Sequence, residues 1–176
     1  MNKLVRRDFT KAYKCYKKNE ELIKKQFRGK LFNIEMDSKE LSIILDKCAS
    51  TDMFYLNDKG LIYGVALRIN FTESWHKNVT IRYKRSNGYR TEYEKTIESF
   101  KSNAINSAIG IQLDADEDLA VVSGIIYDRL NLFKIIESNI YYFEKEHLHK
   151  VKQDGNLMFY FKNQFFKDNN ITHQIF

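Results

Sequence analysis

The chain has 176 residues, is 43% hydrophobic and carries a formal net charge of +6. That length supports one ordinary domain with a sizeable core and leaves little room for a second, and its two cysteines, Cys15 and Cys48, exclude a disulfide framework. With no apolar run near the roughly 18 residues of a membrane span and no signal-peptide core, the sequence reads as a cytoplasmic protein with no membrane partner. Its basic balance favours a polyanionic partner without bearing on the fold. Proline is absent while Lys, Asn, Ile, Phe and Tyr abound; these residues have AT-rich codons and proline does not, which suggests an AT-rich genome, such as a phage, a mobile element or a low-GC bacterium.

Residues 8–27 read as a basic helix, with Phe9, Tyr13, Tyr16, Ile23 and Phe27 on an apolar stripe flanked by lysines. Gly29 breaks that pattern, and a second helix is predicted from Asp37, where Glu40 completes a capping box and Leu41, Ile44, Leu45 and Cys48 form the apolar face. Residues 51–56 and 61–71 read as two strands joined by the turn signal Asn57-Asp58-Lys59-Gly60. A third strand follows in the run from Val79 to Lys84. Thr91 and Glu94 form another capping box, opening a helix with Tyr93, Ile97, Phe100, Ala104 and Ile105 inward. Strands are predicted from Ile109 and from Leu119, a helix from Asp128, and a strand or core segment after Asp154-Gly155. Local hairpins plus a crossover helix argue for an α/β (α+β) fold, a mixed central sheet flanked by helices.

The hairpin fixes which side chains meet. Facing positions across it sum to about 116–118, so Asp52 lies opposite the stretch Gly64 to Ala66. Arg68 is a diagonal step further on, on the face of Ala66 and Asn70, while Leu61, Tyr63, Val65, Leu67, Ile69 and Phe71 form the buried face. Asp52, Arg68 and Asn70 are therefore expected on the more open side of the sheet.

An acid opening one strand, a cation on the next, Glu40 in the preceding helix, and the runs VTIRYKR and TEYEK together resemble the PD-(D/E)XK nuclease superfamily in its small phage-type form. The resemblance covers roughly residues 38–138 as a nuclease-like core, leaving residues 139–176 as an aromatic-rich extension of a single domain spanning 1–176. It implies Mg²⁺-dependent cleavage of a phosphodiester, with carboxylates holding the metal. The motif itself departs from the family: Ala66 stands where the second acid belongs and Arg68 where the lysine does. Alanine ligates nothing, and arginine stays protonated and is no base. A relocated acid from the following helix is the remaining route. On it Asp52, Glu92 and Glu40 are the metal ligands, Glu94 being the alternative acid, and Lys95 or Arg68 steadies the phosphate.

The densest mixture of cations and aromatics lies nearby. Lys77, Thr80, Arg82, Lys84, Arg85, Tyr89 and Arg90, with Trp75, His76 and Tyr83, suit a phosphate backbone and a stacked base. The acidic run at residues 114–118 lacks the glycine and glutamate of a calcium loop and reads as solvated. His147 and His149, beside Glu144 and Glu146, lack further metal-ligand spacing. The aromatic stretch from Leu157 to Phe166 is a candidate apolar interface. Two functional expectations stand side by side. One is a DNA- or other nucleic-acid-binding protein with a nuclease-like fold, able to cleave with the relocated acid. The other is a non-catalytic inhibitor of a bacterial nucleic-acid enzyme or defence protein, as small phage-encoded inhibitors are.

Overall fold

The computed structural model describes residues 3–33, 50–71, 78–101, 107–151 and 155–176. The predicted helix from Asp37, with Glu40 and Cys48, and the residues Trp75, His76 and Lys77 lie outside them. In chain order the described elements are α1 (Lys3–Lys24), β1 (Lys30–Asn33), β2 (Met53–Leu56), β3 (Ile62–Phe71), β4 (Asn78–Lys84), α2 (Glu92–Lys101), β5 (Ser107–Ala115), β6 (Val121–Asp128), α3 (Arg129–Ser138), α4 (Ile140–Glu146), β7 (Leu148–Lys150), β8 (Leu157–Lys162), α5 (Asn163–Asp168) and β9 (His173–Ile175).

Six strands form a mixed sheet in the order β1-β2-β3-β5-β6-β9. The β3–β5 pair is parallel and every other pair in this sheet is antiparallel. A parallel pair needs a crossover, and here it contains β4 and α2. The predicted third strand, β4, does not continue the main sheet; it builds a second, three-stranded sheet in the order β4-β8-β7. Two features account for this. Val79 and Ile81 alternate toward a core shared with Phe159 and Phe161 of β8. The other edge of β4 is closed by a side chain: Gln112 Oε1 accepts from the Thr80 N–H at 2.8 Å and Gln112 Nε2 donates to the Asn78 carbonyl. One glutamine amide thus stands in for a neighbouring strand's peptide group, satisfying backbone groups that burial would otherwise leave unpaired.

Both faces of the main sheet are covered. Val65, Ile111 and Leu113 meet Tyr16 and Ile23 of α1. The helix docks on a stripe shifted from the predicted one, since Cys15 is buried with Tyr16 whereas Tyr13 is exposed. Asn19 fixes it: its amide donates to the Leu119 carbonyl at 2.7 Å and accepts from the Val121 N–H at 3.1 Å. On the other side, Tyr127 joins Phe133, Phe143, Phe159, Phe161 and Phe166 in a second core. Phe159, Phe161 and Phe166 are completely buried, so the aromatic stretch from Leu157 to Phe166 is interior and not the apolar interface its composition suggested. Residues 139–176 are woven into both sheets, through β8 beside β4 and β9 beside β6.

Candidate functional site

The hairpin register is the one the turn dictates, Met53 facing Val65 and Leu56 facing Ile62. Asn57 accepts from the Lys59 and Leu61 N–H groups, and Gly60 takes a φ of 78° that most residues avoid. Asp52, one residue ahead of β2, donates its N–H to the Val65 carbonyl at 2.9 Å. Its Oδ2 then accepts from the Leu67 N–H at 2.7 Å. A carboxylate therefore carries the ladder one step beyond the end of the strand.

Arg68 and Asn70 share the face of Ala66, as alternation requires, but that face is not the open one. In the register Arg68 sits beside Gln112 and Asn70 beside Asp114. The Asn70 amide donates to Asp114 Oδ1 at 3.0 Å, and the Ser123 hydroxyl donates to Oδ2 at 3.0 Å. Asp114 is thus a buried member of β5 and not part of a solvated acidic loop; Asp116 closes the turn that follows, accepting from the Ala120 N–H. Strands β4 and β8 cover this side through Gln112 and Met158. The Sδ of Met158 lies 3.9 Å from Arg68 Nη2.

Arg68 reaches Glu92, the first residue of α2, with Nη1 3.7 Å from Oε2. The other carboxylate oxygen takes Arg129 Nη2 at 3.2 Å. Arg129 is wholly buried; it also donates to the Ser107 carbonyl and the Thr96 hydroxyl, and lies 4.4 Å over the Phe133 ring. Glu92 and Arg68 keep only 21% and 23% of their side-chain surfaces exposed. Ser107 continues the network, its hydroxyl bonded to that of Thr51 and donating to the Ser50 carbonyl. Burial pulls the Arg68 guanidinium below its ordinary value; Glu92 opposes this and the Arg82 charge reinforces it. The Tyr127 phenol, close to the same charges, is raised by burial first and by Glu92 second.

The structure therefore brings Arg68 and Glu92 together and sets Asp52 on the backbone next to Arg68. Glu94 is occupied in the predicted capping box, accepting from the Thr91 N–H at 2.7 Å while its own N–H donates to the Thr91 hydroxyl. Lys95, half-buried, follows on the same first turn. Glu40 lies outside the described residues, and among those described no group of three or more His, Cys, Asp or Glu side chains is placed to hold a metal.

The basic strand divides along its length. Thr80 is buried, its hydroxyl bonded to Gln112 at 3.0 Å, so it is an interior residue and no part of a binding surface. Arg82 and Arg85 are half-buried, while Lys84, Tyr89 and Arg90 are exposed. Arg90 pairs with Glu98 of α2. Gly88, at a φ of 74°, makes the turn that presents Tyr89. Away from this surface, His147 and His149 line an open cleft of about 980 Å³ with Tyr142, Tyr160 and Lys162. His147 is packed among the Phe143, Phe161 and Phe165 rings.

Comparison of the chain with protein-family models, with curated proteins and with solved structures finds no match.

Sequence reasoning missed Arg129, Ser107, Thr96 and Gln112. Gln112 did carry a signal, a lone amide inside the apolar run Ile109 to Leu113, because a buried amide must find partners. Arg129 carried none. It follows the helix cap Asp128, where a basic residue is normally solvated.

Proposed function

We propose that this chain is a nucleic-acid-binding protein on a nuclease-like α/β scaffold, one that grips phosphates and does not cut between them. The observation that carries the reading is the state of Glu92. The acid that a relocated metal centre needs is held by two guanidiniums, Arg129 at 3.2 Å and Arg68 at 3.7 Å. Asp52 is likewise engaged, by the Leu67 N–H. A hard dication wants several unencumbered oxygen ligands, and these oxygens are already engaged by guanidinium and backbone N–H donors. The described donor set does not fit Mg²⁺, so no cleavage step is assigned to it.

The scaffold reading draws on the strand order: three antiparallel strands, a crossover holding α2, then β5 parallel to β3. The binding surface comprises Lys84, Arg85, Tyr89 and Arg90, with Arg82 behind them; cations hold the phosphates and Tyr89 offers a ring for a base. The test is fluorescence anisotropy of labelled single-stranded and duplex DNA in EDTA, with parallel incubation in Mg²⁺ and Mn²⁺. Binding in EDTA with the DNA left whole in metal supports the reading. Metal-dependent cutting lost in Asp52→Ala overturns it.

A second reading, inhibition of a bacterial nucleic-acid enzyme or defence protein, is favoured by one feature. Phe32, Leu61 and Ile62 stand exposed at one end of the main sheet, Ile62 to 68%. A stable complex with such an enzyme, and no DNA binding, would establish that alternative.

A further inference from the structure

Positive charge gathers behind the basic strand. Arg68 and Arg129 share the Glu92 carboxylate, and Arg82 lies close enough to Arg68 for its charge to be felt there. Arg82 is placed by the second sheet, where it faces Met158 across β4 and β8, the same residue whose sulfur meets the Arg68 guanidinium. Among the described residues Arg82 makes no ion pair. The Nε atoms of all three arginines are buried without a hydrogen-bond acceptor among the described residues.

The like charges of Arg68 and Arg82 repel each other, and buried donors without acceptors are costly. A native fold keeps such an arrangement where something else supplies the missing acceptors. The mouth is open enough for a small group: Arg68 retains 23% of its side-chain surface, and Arg82 is half-exposed on the strand that leads out to Lys84.

We propose that Arg68 and Arg82, with Arg129 behind them, form a subsite for one phosphate-type oxyanion. This rests on the phosphate-gripping surface proposed above and gives it an anchor. The chemistry selects the ligand class. Guanidinium groups present flat donor forks matched to carboxylates and phosphates. A tetrahedral oxyanion brings several oxygens that accept from forks arriving on different sides, where a carboxylate brings two. A backbone phosphate of a nucleic acid and free phosphate share this chemistry, and the test separates them.

The full-length chain is melted in potassium chloride and in potassium phosphate at matched ionic strength, as wild type, Arg82→Gln and Arg68→Lys. Binding of labelled oligo-dT is measured in parallel, with Arg90→Gln added. At about ten times its Kd, phosphate raises the wild-type Tm by ~3–6 °C over chloride. Arg82→Gln abolishes that increment, and in chloride it melts at or above wild type because a like charge has left Arg68; an arginine with a merely structural role would lower Tm instead. Arg68→Lys, which keeps the charge, retains the fold and a reduced increment. Oligo-dT affinity falls about tenfold in Arg82→Gln if the anion is a backbone phosphate. A phosphate increment without oligo-dT binding supports the subsite as one for a small phosphate ligand and overturns the nucleic-acid reading. Equal wild-type melting in the two salts, or an increment that survives Arg82→Gln, overturns the subsite. Oligo-dT binding that responds to Arg90→Gln but not to Arg82→Gln, with no increment, overturns the subsite and leaves the nucleic-acid reading standing.

Discussion

Glu92→Gln separates a structural carboxylate from a metal ligand by the sign of its effect. At the observed separations of 3.2 Å to Arg129 and 3.7 Å to Arg68, two unit charges attract by ~4–5 kcal/mol per pair at an effective dielectric near 20. Desolvation offsets much of this, and breaking one side of a buried pair costs ~3–5 kcal/mol in practice. The Arg68 arm is discounted to below ~1 kcal/mol, because both its partners retain about a fifth of their exposure. The Arg129 arm carries the remainder, since that guanidinium is wholly buried, and glutamine keeps one acceptor oxygen for it. The net expectation is a loss of ~2–4 kcal/mol, or about 4–15 °C in Tm for a chain of this size, read by urea denaturation and calorimetry. Glu98→Gln is the control, because the Arg90–Glu98 pair is largely exposed and is worth less than ~1 kcal/mol. A metal-ligating acid behaves in the opposite way: its removal leaves the metal-free protein unchanged or more stable. The reasoning is refuted if Glu92→Gln costs no more than Glu98→Gln.

Three further outcomes follow from the same geometry. Asp52→Ala costs ~1.5–3 kcal/mol in urea because the Leu67 N–H loses a charged acceptor, whereas Asp52→Asn, which keeps an oxygen there, costs less; equal losses would detach Asp52 from that bond. Gly110→Ala destabilises by ~1–3 kcal/mol, since its Cβ would overlap the Tyr127 ring that lies against Gly110 across β5 and β6; an unchanged Tm would contradict this packing. Burial raises the Tyr83, Tyr93 and Tyr127 phenols above the ordinary value, with Glu144 adding to the first, Glu137 to the second and Glu92 to the third. A phenol with a raised folded pKa lends stability that is complete below about pH 10, the unfolded value, and is lost as pH climbs toward the folded one. Phenolate absorbance from these three should therefore rise together with alkaline unfolding, and their ionisation within a still-folded protein would contradict the assignment.

What the sequence revealed and what it concealed divide along local and long-range lines. The hairpin register, the turn at Gly60 and the Thr91–Glu94 box depend on neighbours a few residues apart, and local chemistry specifies such features. The departure of β4 into a second sheet depends on Gln112 and Phe159, 32 and 78 residues from the Thr80 and Ile81 that they partner, so no local pattern announces it. Arg68 illustrates the limit at the site. Its face was legible from alternation, but which elements cover that face was decided by β8, whose Met158 lies 90 residues further along the chain. The acids show the same limit: Asp52 and Glu92 stand where a relocated metal site would want them, and only their partners reveal how they are engaged.

The most direct test of the central claim is the salt dependence of DNA binding. Anisotropy of labelled single-stranded DNA would be followed from low to physiological salt, in EDTA, for wild type, Arg82→Gln and Arg90→Gln. The account predicts binding at low salt that weakens linearly in log–log form, with each substitution lowering the slope by ~1 in counted phosphate contacts. No binding at the lowest salt, or slopes unchanged by either substitution, would contradict it and turn attention to a protein partner.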